Sequence, residues 1–224
     1  MSDSPVARRV GAELLGSALL TLAVVGSGVA ATRLAPGQLG LELLINAAVT
    51  GVALYWLIVV LAPLSGAHFN PVVSASAAAL GLARWRDVPA YVVAQVAGSC
   101  AGALLANALF VVPEGLSTHA RATGPHALAE VVATAGLVLV ILVLARTGRT
   151  ERVAAVVGAY IAGAYFFTSS TSFANPAITV GRMLTRSFAG IAPGSVPLFV
   201  GAQVLGAAAA VAVVVSLYPE RQRA

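Results

Sequence analysis

The stretch HFNPVVS at residues 68–74 returns as FANPAIT at residues 173–179, and this doubled motif decides the fold. Each Asn-Pro pair follows a long apolar stretch and opens a segment that is too short to cross a bilayer. Asn at an N-cap and Pro at the first helical position favour the start of a helix. A helix that starts inside a membrane directs free N–H groups and a positive dipole end toward the bilayer interior. Two such starts in corresponding halves predict a pore or binding site near the midplane.

The composition predicts an all-α membrane protein. Hydrophobic residues make up 59% of the 224 residues and charged residues only 9%, whereas soluble domains carry about 25% charged residues. Two apolar segments, Asn70–Ala83 and Asn175–Thr185, are too short to span roughly 30 Å of hydrocarbon and are predicted to be re-entrant half-helices. Six longer stretches are predicted to span: Val10–Ala31, Leu41–Leu61, Val88–Val112, Ala127–Ala145, Val153–Ser170 and Val196–Tyr218.

The order of these segments predicts an inverted repeat in a single domain, 1–224. Half one, residues 8–112, runs span, span, half-helix, span, and half two, residues 127–218, repeats that order after a polar linker at 113–126. Glu13 in the first span matches Glu130 in the fourth, and Gln95 in the third matches Gln203 in the sixth. Because three spans per half is an odd number, the halves enter the membrane from opposite sides.

The basic charge indicates topology rather than nucleic-acid binding. The chain has a formal charge of +5. With the N-terminus inside, nine arginines fall in cytoplasmic segments and four outside, which agrees with the positive-inside rule. We therefore expect a multi-pass protein of a plasma or inner membrane with both termini cytoplasmic. No nucleic-acid partner is expected, because the arginines indicate topology. No cofactor is expected either, and no metal, since one cysteine and three histidines show no metal-ligand spacing. The inside set is Arg8, Arg9, Arg84, Arg86, Arg146, Arg149, Arg152, Arg221 and Arg223; the outside set is Arg33, Arg121, Arg182 and Arg186.

Over nearly its full length the chain resembles the aquaporin, or major intrinsic protein, family. The residues that carry the resemblance are SGAHFNP at 65–71, NPA at 175–177, the paired glutamates and the span count. The resemblance implies an aquaporin-like bundle of six transmembrane helices in which two half-helices meet end to end. It also implies a homotetramer with one pore per subunit. It implies a passive channel for water or small uncharged solutes, and not an enzyme.

The two motifs suggest how the midplane works. Both half-helix dipoles would place positive potential there, which disfavours cations and protons. The amides of Asn70 and Asn175 offer N–H donors to a passing oxygen; the alternative is that they only cap helices. The predicted midplane residues are Asn70, Asn175, Pro71, Pro176, Val72 and Ala177.

Three further polar residues at membrane depth have more than one interpretation. Glu13 and Glu130 are candidates for acid–base work. The resemblance instead implies that they anchor the backbone of the re-entrant loops, whose N–H groups need acceptors. His68 is predicted to line the cytoplasmic half of the pore, with a packed histidine as the alternative.

Departures from the family pattern bear on the solute. The selectivity-filter positions, counted from the motifs without gaps, are Thr50, Gly163, Ser172 and Ile178. Water-selective members carry Arg where Ile178 stands, and the glycerol branch carries Arg then Asp where Ile178 and Thr179 stand. The resemblance therefore implies a wider, less polar constriction.

Arg182, four residues beyond Ile178 on the same helix face, offers a possible charge at the outer pore. Its guanidinium would either reach back toward the filter or extend to the outer surface. An aliphatic filter residue, this arginine and the tail FAGIAP at 188–193 resemble a bacterial branch linked to arsenite and related metalloid solutes.

Two other function classes remain open from the sequence. An ion-coupled secondary transporter also uses inverted repeats and broken helices, but its coupling site would have to be Glu13 or Glu130. An intramembrane serine protease needs a serine beside a histidine base, and His68 is the only histidine at membrane depth.

Overall fold

A computed structural model describes residues 5–219, and within this range the ordered elements are helical. Six long helices and two short ones follow one another in the predicted order. Arg221 and Arg223 lie outside the described residues. The long helices are α1 Val6–Leu34, α2 Leu39–Ser65, α4 Val88–Phe110, α5 Gly124–Arg146, α6 Val153–Phe167 and α8 Val196–Leu217; the short ones are α3 Pro71–Ala79 and α7 Pro176–Gly181.

Most of the long helices have the length and composition of membrane spans. Five of them are apolar enough over at least 18 residues to cross a bilayer. The sixth, α6, has 15 residues and ends at Phe167 rather than at the predicted Ser170. At about 1.5 Å per residue this is roughly 22 Å, and the chain turns after Phe167, where the N–H of Thr171 donates to the carbonyl oxygen of Thr168 at 3.2 Å.

The start of α1 and the end of α8 lie at the same end of the bundle, called here the termini end. Arg9 near the start of α1 forms an ion pair of 2.9 Å with Asp87, just before α4. Arg146 at the end of α5 donates a hydrogen bond of 2.5 Å to the carbonyl oxygen of Tyr218. Arg9 and Ala145 line one cavity, which brings the two pairs to the same end. The opposite end, where residues 111–123 connect α4 to α5, is called the linker end.

The helices of each half pack in the same way. Within half one, α1 packs against α4, where a Cβ added to Gly98 or Gly102 would collide with the backbone of α1. Within half two, α5 packs against α8, where a Cβ at Gly206 would collide with the carbonyl oxygen of Val131. The halves meet where α2 contacts α6 through Gly51 and Gly158. Small residues let membrane helices approach closely, and here they occupy all three of these contacts.

Both half-helices are shorter than the sequence predicted. The first ends at Ala79 instead of Ala83, because the chain turns through Gly81 with a φ of +70°. The second ends at Gly181 and continues as one 3₁₀ turn, Arg182–Leu184, before extended backbone at Thr185. The predicted half-helices were too long because the residues beyond these points are also apolar. An apolar pattern does not reveal the turn that ends each helix.

Candidate functional site

Glu13 anchors the first re-entrant segment, residues 66–79. One carboxylate oxygen accepts hydrogen bonds from Ser65 Oγ at 2.6 Å and the backbone N–H of His68 at 3.0 Å. The other accepts from the N–H of Phe69 and from Gln95 Nε2, both at 2.7 Å. The side chain is fully buried, so these bonds replace water for backbone groups at membrane depth.

Glu130 does the same for the second re-entrant segment, residues 171–184. It accepts from the N–H groups of Phe173 at 2.9 Å and Ala174 at 2.8 Å, and from Gln203 Nε2 at 2.6 Å. It too is fully buried. A carboxylate occupied in this way by fixed donors is suited to holding a loop and poorly suited to exchanging protons or ions.

The two anchored loops share an unusual backbone. Each has three residues with positive φ at matching positions, 105 residues apart. Most are not glycine, so each loop holds conformations that L residues adopt at a cost. The glutamate bonds to the adjacent N–H groups stabilise this shape. The pairs are Gly66 and Thr171, Ala67 and Ser172, and Phe69 and Ala174.

Asn70 and Asn175 cap the two half-helices. Asn70 Oδ1 accepts from the N–H of Val72 at 3.1 Å, and Asn175 Oδ1 accepts from the N–H of Ala177 at 2.9 Å. Pro71 and Pro176 occupy the first helical positions, where a missing N–H costs nothing. The capping part of the prediction therefore agrees with the structure, but capping accounts only for the amide oxygens.

The amide nitrogens tie the two motifs together. Asn70 Nδ2 donates to the carbonyl oxygen of Ala174 at 2.7 Å, and Asn175 Nδ2 donates to that of Phe69 at 2.8 Å. An amide nitrogen carries two hydrogens, so each asparagine keeps one N–H beyond these bonds. Both side chains line the central cavity, where that N–H is available to a solute oxygen.

A narrow central cavity of about 80 Å³ runs beside the paired asparagines. It adjoins a cavity of about 750 Å³ at the termini end, and His68 and Val73 line both. Val73 lies in this wall, whereas Val72, predicted to face the midplane, is packed in the hydrophobic core. Pro71, Pro176 and Ala177 are likewise outside the described cavity wall.

The linker-end part of the cavity combines hydroxyl groups with apolar side chains. Thr50, Ser172 and Ile178 line it at the positions counted from the motifs. Thr50 Oγ1 lies 3.1 Å from the hydroxyl oxygen of Tyr165, which comes from α6. The Ser172 hydroxyl is buried and has no hydrogen-bond partner among the described residues.

The prediction for Gly163 is wrong in its geometry. Gly163 lies on the exposed face of α6, and a Cβ added there would meet only the ring of Phe167, at 3.8 Å. Tyr165 and Ile161 face the cavity instead. Two residues rotate a helix by about 200°, so a count that is off by two selects the opposite face.

Arg182 lies in the cavity wall and not at the outer surface. It is 2% exposed, and its guanidinium carbon is 3.4 Å from the ring centroid of Phe173. Its Nε donates to the carbonyl oxygen of Ala189. Of the two orientations left open by the sequence, the structure has the one that turns toward the cavity.

Arg121, from the linker, supports the same cluster and was not expected from the sequence. Its guanidinium carbon is 5.3 Å from the ring centroid of Phe173. It donates to the carbonyl oxygens of Gly190 at 2.8 Å and Phe188 at 3.0 Å. Burial lowers the pKa of Arg121, but an arginine stays charged at neutral pH. Two cations therefore stand against one ring.

His68 is held by Ser74, with its Nδ1 3.0 Å from Ser74 Oγ. The Ser74 hydroxyl donates to the carbonyl oxygen of Asn70 at 3.2 Å and accepts from Gln95 Nε2 at 3.0 Å. Its remaining acceptor position suits an Nδ1–H, which leaves Nε2 of His68 as a hydrogen-bond acceptor. Because Ser74 is buried and occupied in this way, the pair does not resemble an exposed serine nucleophile with its base.

The chain is similar in sequence to members of one known protein family. The family model described as major intrinsic protein matches residues 1–169. The chain is 49% identical over 214 residues to the aquaglyceroporin AqpS of Rhizobium meliloti, covering 95% of this chain and 91% of that protein. It is 34% identical over 186 residues to aquaporin NIP1-3 of Oryza sativa, covering 78% and 63%.

A solved structure also has this fold. The X-ray structure of the aquaglyceroporin from Plasmodium falciparum superposes with a TM-score of 0.72, covering 96% of each chain at 21% identity. In residues 5–219, histidine, cysteine and carboxylate side chains form no group of three that could hold a metal ion.

Proposed function

The chain belongs to the major intrinsic protein family, and from that premise we propose that it is a passive membrane channel for water and small uncharged solutes. The solutes are of the glycerol class and include metalloid hydroxides such as arsenite. The observation that carries this proposal is the pair of asparagines, cross-bonded between loops, with one N–H each left at a narrow cavity. Donors fixed in this way bind the oxygen of a neutral solute and interrupt a chain of waters.

The wall of the cavity supports neutral solutes over ions. Two half-helix starts meet at the asparagines, and Arg182 adds a positive charge toward the linker end. Positive potential along a narrow path raises the barrier for cations. Ile178, in place of an arginine, leaves the linker-end half less polar and suits solutes larger than water.

An ion-coupled transporter would need an ionisable site that changes its partners during transport. Glu13 and Glu130 are the carboxylates available beside the loops, and both are filled by fixed backbone and amide donors. A passive channel therefore agrees better with the geometry. We further propose a homotetramer in the plasma or inner membrane, with the arginine-rich termini end facing the cytoplasm.

Stopped-flow light scattering on proteoliposomes tests the function directly. We expect glycerol and arsenite to shrink and reswell the vesicles faster than in protein-free controls, with rates independent of proton and sodium gradients. Rates equal to those of empty vesicles for water and for both solutes would contradict the proposal. Uptake that requires an ion gradient would favour the coupled transporter.

A further inference from the structure

We propose that Tyr165 is the residue of α6 that determines specificity, and that its hydroxyl, together with those of Thr50 and Ser172, selects solutes that carry hydroxyl groups. This inference rests on the proposed channel function and identifies the chemistry of the linker-end part of its cavity. Tyr165 is 2% exposed and lines the central cavity. Its hydroxyl lies 3.1 Å from Thr50 Oγ1, which belongs to α2.

The Thr50–Tyr165 hydrogen bond joins helices of the two halves at the cavity wall. Either oxygen can be the donor, because each group is both a donor and an acceptor. A passing hydroxyl group can insert between the two and bond to both, so the bond is exchanged rather than lost. A solute without such groups leaves two buried hydroxyls unpaired or cannot open the bond at all.

Ser172 supplies the second, independent observation. Its hydroxyl is buried, lines the same cavity, and has no partner among the described residues. A buried polar group without a partner costs free energy unless a solvent or solute atom satisfies it. The rest of this part of the wall is apolar or cationic, from Ile178, Phe173 and Arg182. Neutral solutes with adjacent hydroxyl groups, such as glycerol, can engage the tyrosine–threonine pair and the serine at once.

The test compares glycerol and water permeability of Tyr165→Phe in proteoliposomes. The change removes one oxygen and keeps the ring, so we expect glycerol permeability to fall about fivefold, as for loss of one hydrogen bond of ordinary strength. Water permeability should change by less than about twofold, because water can still bond Thr50 and Ser172. The matched control is Gly163→Ala on the opposite face of α6, where the added methyl meets only Phe167. It should leave the ratio of the two permeabilities unchanged.

Two further variants keep the result decisive. Ser172→Ala removes a hydroxyl that bonds nothing in the described protein, so it should fold normally and also lower the glycerol-to-water ratio. The double variant Thr50→Val with Tyr165→Phe should lose less than the sum of the single losses, since the two groups share one bond. An unchanged ratio in Tyr165→Phe and Ser172→Ala, with wild type conducting glycerol, would overturn this inference alone. If the glycerol-to-water ratio changed in Gly163→Ala and not in Tyr165→Phe, Gly163, the position counted from the motifs, would be the α6 residue that determines specificity. A wild type that conducts neither water nor glycerol would refute the channel itself.

Discussion

In the first re-entrant segment, residues 66–79, His68 lines the cavity and its ring lies edge-on to Tyr91, with the centroids 5.6 Å apart. At the matching place in the second, residues 171–184, Phe173 lies edge-on to Phe199 at 5.1 Å. Arg182 then stacks over Phe173. The same backbone, with the same glutamate anchor and positive φ angles, therefore presents a polar ring in one half and a cation-covered aromatic in the other.

This difference separates two physical requirements. A re-entrant loop must satisfy its own N–H groups wherever it stands in a membrane, so the anchors and caps are alike in both halves. The cavity side chains are free of that requirement, and they differ. We infer that the common features stabilise the fold and that the linker-end half, with its cation and hydroxyl groups, sets selectivity.

Removing an anchor should have the largest effect. Glu13→Ala leaves four donors without their acceptor and Glu130→Ala leaves three. Each buried orphan donor costs about 1–3 kcal/mol, so both variants should lose most of their monodisperse protein in detergent, with Glu13→Ala the worse. Size-exclusion yield and thermal unfolding measure this.

Glu42→Ala is the matched control for the anchors. Glu42 is also buried, but it accepts a hydrogen bond from one backbone donor, the N–H of Gly37, at 3.0 Å. We expect a much smaller loss of yield. If Glu130→Ala folded as well as Glu42→Ala, Glu130 would not support the second loop as Glu13 supports the first. The two re-entrant segments would then differ in their anchors as well as in their cavity side chains.

The sequence predicted this common part well because it rests on local rules. Asn-Pro at a helix start and a repeated segment order each have a physical reason that needs no coordinates, and the family resemblance assigned the anchoring role to the glutamate in the first helix of each half. The path of side chains around the cavity was harder. Gly163 was selected by counting, yet the connection between α6 and α7 sets the rotation of α6, and no residue pattern reveals that rotation. The inward turn of Arg182 and the approach of Arg121 depend on carbonyl groups at 188–190, far away in sequence from Arg121.

Asn175→Asp tests the midplane and should have the next largest effect. A carboxylate there faces the carbonyl oxygen of Phe69 in place of a donor, and it adds a negative charge beside two helix starts. At roughly 8 Å and an effective dielectric constant of about 20, one charge changes a cation barrier by about 2 kcal/mol, or about thirtyfold in rate. Potassium leak from proteoliposomes measures it.

Asn70→Asp is the counterpart of that variant in the first segment, where the amide nitrogen donates to Ala174. We expect a cation leak of similar size, because both asparagines stand at the same junction. A tight barrier in both folded variants would count against the dipole mechanism, and a leak in only one would show that the midplane itself is asymmetric.

Ile178→Arg and Val73→Arg place the same side chain at matching points of the two segments, since both native residues line the cavity. At Ile178 we expect glycerol permeability to fall about tenfold, equivalent to about 1.4 kcal/mol in the barrier, and water permeability to fall less. At Val73 the loss should be smaller, because that residue also borders the cavity of about 750 Å³. Equal losses from both would place the limiting constriction elsewhere.

Arg182→Gln removes the cavity charge and keeps a donor for the carbonyl oxygen of Ala189. We expect methylammonium to enter about threefold faster, equivalent to a barrier lower by about 0.6 kcal/mol, while Arg182→Lys excludes it as wild type does. Arg186→Gln is the control, because Arg186 is exposed. If Arg186→Gln and Arg182→Gln behaved alike, Arg182 would only hold the loop at Ala189 and would have no role in selectivity.

The smallest effect is expected from His68→Phe, which gives the first segment the ring of the second. His68 offers one acceptor nitrogen beside the wide termini-end cavity, where a solute keeps much of its water. The glycerol-to-water ratio should therefore change by less than about twofold, since a water replaces the lost hydrogen bond at little cost. The reciprocal Phe173→His removes the ring beneath Arg182, a contact worth about 1–2 kcal/mol when desolvated, and should shift the ratio more. A larger shift from His68→Phe than from Phe173→His would move selectivity to the termini-end half, because the two substitutions exchange the same pair of rings on the same backbone.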